Sequence, residues 1–243
     1  MRAFEVFYLC VEPFLPVVYQ QTRWRLQAII ASYPGTPEIL DVGGRKSHYT
    51  IGLRGNVTIT DLPRETALQQ ELDLGITPQY MESTRNRRSN VKQILYDDMT
   101  RSALPDQAFD CVVAVEVLEH VEEDQLFAQN VSRVLKEGGT FLMTTPNGDH
   151  VKINNPDHKH LYTKDSLTAL LRAHFDEVQV DYMVKSGYFH GQGSKSWSPR
   201  RPVQTLLIMM SNLINLLQSS RREVTTSAHR THHLAARARK RSA

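Results

Sequence analysis

Hydrophobic positions along the chain follow two alternating rhythms. Short, near-continuous apolar runs stand at 38–43 (EILDVG), 57–61 (VTITD), 92–98 (KQILYDD), 109–117 (FDCVVAVEV), 140–147 (TFLMTTPN) and 176–184 (DEVQVDYMV). Runs rich in Val, Ile and Leu are what parallel strands buried on both faces require. Between them the spacing turns helical. Residues 123–136 place Leu126, Phe127, Val131, Val134 and Leu135 on one face, with Gly138-Gly139 as the expected stop. Ahead of the first run, Leu26, Ile29, Ile30 and Tyr33 mark a leading helix from Val17, ended by Pro34-Gly35, that should cover the sheet or a pocket. Alternating strand and helix predict a doubly wound α/β fold with a mostly parallel sheet.

The pattern divides the chain into an N-terminal helical extension (1–35), one α/β domain (36–185), a loop with an apolar helix (186–220) and a basic tail (221–243). Residues 62–90 are polar apart from a short helical piece around 64–72, and the RNRRSN cluster reads as an exposed loop. Pro202 opens the apolar helix, where Gln204, Ser211, Asn215 and Gln218 form a narrow polar stripe and leucine, isoleucine and methionine cover the rest. Some fifteen apolar residues are too few to span a bilayer, which needs about 20. Peripheral contact with an anionic membrane, a dimer interface and docking on the helix's own domain all remain open for it.

Charge sharpens this division. The chain has a net charge of +3, but residues 221–243 alone carry seven Lys/Arg against Glu223, which leaves the body at −3. A mildly acidic body does not suit a nucleic-acid reader, and the tail is expected to be disordered and available to polyanions. Two cysteines, Cys10 and Cys111, make no disulfide framework. The acids and prolines Glu5, Glu12, Pro13 and Pro16 interrupt the apolar start, which argues against a secretory signal. A cytoplasmic protein is expected, with the inner face of a membrane as an option.

The candidate chemistry sits at strand ends. The first strand runs into Asp41-Val42-Gly43-Gly44, a glycine turn that lets backbone approach a nucleotide. Asp61 ends the second strand, 20 residues after Asp41, where an acid accepts hydrogen bonds from ribose hydroxyls. A dinucleotide dehydrogenase shares that arrangement but wants G-x-G-x-x-G, and the run here is Gly-Gly-Arg-Lys-Ser-His. Asp98, after the third strand, is placed to accept from an exocyclic adenine amine, with Met99 against the ring.

With these residues in place, the chain resembles the class I methyltransferases that use S-adenosylmethionine, and within them the methyltransferase type 11, small-molecule and quinone branch grouped with ubiquinone O-methyltransferases. The resemblance covers roughly 36–180. It rests on Asp41-x-Gly43-Gly44, Asp61, Asp98-Met99, the block 115–121 (VEVLEHV), 135–139 (LKEGG), 144–147 (TTPN) and His158-x-His160-x-Tyr162-Thr163. It implies that Asp41, Gly43 and Gly44 shape the turn around the methionine part of the cofactor, with Glu116 also on the cofactor side. It further implies that Asp61 holds the ribose and that Asp98 with Met99 holds the adenine. Where Arg45 and Ser47 stand, the family usually has glycine.

At the fourth strand's carboxyl end, Glu116-x-x-Glu119-His120 offers two carboxylates and an imidazole. They suit a divalent cation such as magnesium, or His120 as a general base, or a cap on the next helix. His160 is a second candidate base, in a loop able to fold over the acceptor. The expected reaction is methylation of a hydroxyl on a small-molecule, quinone or lipid- or glycan-linked acceptor. N-methylation of a small molecule and a catalytically silent cofactor-binding or membrane-scaffold protein are the alternatives.

Overall fold

The computed structural model describes residues 1–65, 75–152, 155 and 157–241; most of the helical piece expected around 64–72 lies outside them. Seven strands form one sheet: β1 (Glu38–Val42), β2 (Asn56–Asp61), β3 (Val91–Tyr96), β4 (Phe109–Val115), β5 (Leu135–Pro146), β6 (Glu177–Lys185) and β7 (Thr231–Arg239). The spatial order is β3-β2-β1-β4-β5-β7-β6. β1 pairs in parallel with β2 and β4, and β4 in parallel with β5, whereas β7 runs antiparallel to both β5 and β6. The α-helices are α1 (Ala3–Val11), α2 (Val17–Ala31), α3 (Pro78–Arg87), α4 (Asp124–Val134), α5 (Lys164–Arg172), α6 (Tyr188–Gly193), α7 (Pro202–Ser219) and α8 (Arg222–Thr226).

The near-continuous apolar runs are the central strands, and their alternate side chains feed two cores. Leu40, Val42, Val112, Ala114, Phe141 and Met143 meet Phe127 and Val131 of α4 and Leu167 and Leu171 of α5 on one face. Ile39, Cys111, Val113, Val115 and Leu142 meet Leu26, Ile29 and Ile30 of α2 on the other. Thr163 caps α5 by accepting from Ser166 N at 3.1 Å, and Thr77 with Pro78 opens α3. Gly138-Gly139, the expected helix stop, lies inside β5, because α4 ends at Val134 and the strand begins on the next residue.

Two expectations are overturned. The basic tail is not solvated throughout: residues 231–239 form β7 between β5 and β6. Leu234, Ala236 and Ala238 enter the core cluster of α4 and α5, and Ala235 enters the opposite one. Their period-two alternation with Arg237 and Arg239 is the strand signal, hidden by low alanine strand propensity and by the charge total. The RNRRSN cluster is likewise no exposed loop. Arg85 and Arg87 end α3, while Arg88 is buried and donates to Ser47 Oγ (2.8 Å) and Thr50 Oγ1 (2.7 Å). Its guanidinium is the cation facing buried Asp41.

The helix α7 is also turned against its amphipathic pattern. Its buried residues are Ile208, Ser211, Asn212, Asn215 and Ser219, while Val203, Leu206, Leu207, Met210 and Leu217 are exposed. The inward stripe finishes backbone that no strand completes. Asn215 Nδ2 donates to Lys185 O (2.9 Å), Lys185 N donates to Ser219 Oγ (2.9 Å), and Asn212 Nδ2 donates to Phe14 O (2.8 Å) and Gly193 O (3.1 Å). Buried backbone groups left unpaired cost about 1–3 kcal/mol each, so polar residues are the stabilising choice on this face.

Candidate active site

Crossovers from β1 lead outward in one direction and those from β4 in the other, so the carboxyl ends of β1 and β4 bound the crevice where doubly wound sheets bind ligands. A cavity of about 490 Å³ opens there, within the usual range for small-molecule sites. Its wall includes Gly43, Asp61, Asp98, Met99, Glu116 and His120. Each of these was singled out from sequence, and the fold brings all six to one opening.

Asp41 and Gly44 lie beneath that wall rather than in it. The Asp41 carboxylate accepts from Tyr49 OH (2.7 Å) and Thr50 Oγ1 (2.9 Å), and its complete burial pushes its pKa up to about 6 against those bonds and Arg88. It therefore fixes the loop after β1. Gly43 takes φ +65°, and a Cβ on Gly44 would stand 2.8 Å from Asp41 Cγ, so both glycines are needed for the turn. Backbone conformation does not demand glycine at positions 45 and 47. Arg45 is not in the left-handed region, and Ser47 has φ −71° and uses its hydroxyl to hold Arg88.

Asp61 accepts from Leu62 N at 2.8 Å and Arg45 N at 3.4 Å, and burial raises its pKa. Asp98 accepts from Thr100 N (2.9 Å) with Oδ1 and caps the short turn that carries Met99. Its neighbour Asp97 also lines the cavity, with a buried Oδ2 that has no partner. The Asp97-Asp98 doublet gave no reason to prefer one acid. Tyr19 of α2 lines the cavity as well, so the leading helix does cover the pocket.

The block after β4 divides into two sets. Glu116 holds the left-handed φ of +55°, uncommon for a residue with a side chain. Its Oε1 accepts from Thr144 Oγ1 (2.8 Å) and its Oε2 faces His233 Nδ1 (3.1 Å). Burial, the largest single influence, would raise its pKa, but His233, the Thr144 hydroxyl and His232 together outweigh it and hold the pKa down. Glu116 thus does not join Glu119 and His120 as the expected third metal ligand.

His158 takes that place. Single donor atoms of Glu119, His120 and His158 lie within 4.8 Å of one another, and the two rings meet edge to face at 4.8 Å. Glu119 is buried, with an Oε2 that has no partner, and burial followed by the charge of Glu116 drives its pKa well up. His120 Nδ1 lies 3.0 Å from Asp157 Oδ2, and both residues line the cavity. That contact assigns the proton to Nδ1 and leaves Nε2 with its lone pair.

His160 is displaced from its expected role. Its Nε2 meets Glu122 O at 3.2 Å and its ring stacks on Tyr162, whose hydroxyl donates to Asp124 (2.9 Å), so it braces the start of α4 away from the cavity wall. His158 stands in the sequence only as part of the loop motif and Asp157 not at all, because loop residues carry no periodicity and only tertiary contact gives them partners.

Residues 40–143 match a family model described as a methyltransferase domain. A probable S-adenosylmethionine-dependent methyltransferase of Mycolicibacterium smegmatis is 35% identical over 106 residues, which are 41% of this chain and 39% of that protein. The chain therefore spans about two-fifths of the length of this curated relative. Among solved structures, a protein of Thermotoga maritima described as an S-adenosylmethionine-dependent methyltransferase and possible histamine N-methyltransferase superposes with a TM-score of 0.57 at 14% identity. The match covers 96% of this chain and 93% of that one. The 4+2 cyclase SpnF superposes with a TM-score of 0.55 at 17% identity, covering 90% and 82%. These similarities show the Rossmann-like methyltransferase fold, and residues 40–143 are similar to a methyltransferase domain.

Proposed function

We propose that this chain, similar over residues 40–143 to a methyltransferase domain, is an S-adenosylmethionine-dependent enzyme that methylates a hydroxyl, with His120 as general base. The observation that carries this reading is the pair His120 and Asp157 on the wall of the cavity bounded by Asp61, Asp98 and Glu116. When bound, the cofactor supplies an activated methyl on a sulfonium. Asp61 would hold its ribose, and Asp98 and Met99 its adenine, all three lining the cavity. Asp157 would hold the His120 ring so that Nε2 could take the proton of the acceptor hydroxyl, the bound cofactor supplying the activated methyl. Positioning and one base suffice, since the leaving thioether needs no protonation.

A second reading is favoured by the buried, unpartnered Glu119 Oε2, which with His120 and His158 offers one oxygen and two nitrogens. That donor set suits zinc, manganese or iron better than the magnesium expected from sequence, because imidazole is a borderline ligand and magnesium prefers oxygen. In that case His120 orients the acceptor through an ion.

Turnover measured in His120→Ala and Asp157→Asn, with cofactor binding followed separately, tests the base. His120→Ala should lower turnover ~10²-fold or more with binding retained, and Asp157→Asn should lower it less. Loss on chelation, restored by metal, selects the ion instead. Full turnover by both variants excludes both roles and points to an amine acceptor, which needs little base.

The acceptor class draws support from α7, whose apolar outer face lies between the exposed arginines Arg200, Arg201, Arg221 and Arg222. Among the described residues no helix is long and apolar enough to cross a membrane. An amphipathic helix flanked by arginines fits the surface of an anionic bilayer, which would bring the cavity to a lipid-linked acceptor.

A further inference from the structure

Three histidines from two elements distant in sequence meet behind Glu116. His190 comes from α6, and His232 and His233 from the start of β7. Ring centroids stand 3.9 Å apart for His190 and His232, 4.7 Å for His232 and His233, and 5.5 Å for His190 and His233. One donor atom of each lies within 4.8 Å of the others. His233 is 6% exposed; its Nδ1 lies 3.1 Å from Glu116 Oε2, and both of its ring nitrogens are sealed from solvent without an aligned hydrogen bond. His190 and His232 are partly exposed, which leaves a path from solvent.

Packing three imidazoles together has little to recommend it as structure. The rings offer one another no opposite charge, and a buried ring nitrogen without a partner costs about 1–3 kcal/mol. The arrangement does suit a cation. Three ring nitrogens converge on one point, and each neutral imidazole offers a lone pair there. A carboxylate behind the Nδ1–H of a histidine is the standard support for ligation through Nε2, and Glu116 stands there.

We propose that His190, His232 and His233 bind a transition-metal dication of the zinc class through three imidazole nitrogens, with Glu116 orienting His233 from behind and one coordination position open. Three nitrogens on a tetrahedral ion at about 2.0–2.1 Å stand roughly 3.3 Å apart, so closure asks for side-chain shifts of about an ångström. Imidazole donors favour zinc, copper, iron or nickel over magnesium and calcium. The ion ties α6 and β7 to the residue that borders the cofactor cavity. This site is separate from that of Glu119, His120 and His158, and the inference holds whatever the domain methylates.

Zn²⁺ titrated calorimetrically, and Co²⁺ followed by its visible absorption, into the metal-stripped full chain at neutral pH test this. Wild type should bind Co²⁺ with the intense bands of a tetrahedral site, and Zn²⁺ should displace it and raise the thermal midpoint. His190→Gln and His232→Gln should each weaken binding at this site ~10²-fold or more and abolish that rise. His158→Gln, which removes a donor of the other cluster, should leave the tetrahedral bands and the rise intact. Thermal midpoints of the metal-free variants near that of metal-free wild type show that folding is kept. Bands and rise that persist in both His190→Gln and His232→Gln, that vanish only in His158→Gln, or that never form in wild type overturn the proposal.

Discussion

Asp61 shows how a single residue links strand register to ligand chemistry. As the last residue of β2 it pairs with Tyr96 of β3 while its side chain reaches the cavity, held by Leu62 N. Asp61→Ala should weaken S-adenosylmethionine binding by about 1–3 kcal/mol, the worth of hydrogen bonds to a charged acceptor, measured by calorimetry. Unchanged binding would remove the ribose role. Residues of this kind were legible in the sequence, since a strand followed by a turn fixes which end of the sheet its last acid occupies. Asp41 was legible in place but not in duty: its carboxylate is spent on Tyr49 and Thr50, partners supplied by the loop that it holds. Asp157, His158 and His233 were not legible as site residues. Each gains meaning only from a partner some 35 to 120 residues away, and nothing local announces such a pairing.

At the scale of elements, α7 tests the assumption that an amphipathic helix turns its apolar face inward. Here Asn212, Asn215 and Ser219 go inward because the end of β6 and the loop before α2 present backbone groups that need partners. Five large apolar side chains are left in water, with Leu206 59% and Leu207 62% exposed. Fully covering each would yield ~1.5–3 kcal/mol, a gain that a partner on this face would recover. With anionic vesicles the full chain should float in a density gradient, and with neutral vesicles it should float less. The double variant Leu206→Glu and Leu207→Glu should stop flotation while leaving the thermal midpoint close to wild type, since neither side chain supports the fold. Flotation by the double variant, or none by wild type, rejects the membrane reading. Concentration-dependent sedimentation in place of flotation would assign the face to a second copy of the chain. The periodicity that defined this helix was plain in the sequence; its orientation was not, because the demand that sets it comes from another element's unpaired backbone.

For the molecule as a whole, the seven-stranded sheet makes residues 231–239 a central strand rather than a charged appendage. Leu234→Asp, which buries a carboxylate at a position with no exposure, should cost several kcal/mol and leave little folded protein by circular dichroism. Arg230→Ala, at an exposed residue just outside the strand, should unfold within a few degrees of wild type. Equal stability of the two would mean that β7 contributes nothing. The α/β class was readable from six apolar runs and their helical spacers. The seventh strand escaped because its alanines and arginines look like a solvated tail unless the alternation is followed. Its position carries a consequence for how the protein is made. β5 and β6 lie on either side of β7, and both leave the ribosome before it. A nascent chain that has completed α7 therefore still offers two open strand edges, and an apolar helix beside them, to whatever lies nearby. Closing that gap requires a late strand to thread between two earlier ones, so the speed of translation through residues 220–241 and the presence of a chaperone should govern yield more than the stability of the finished sheet does.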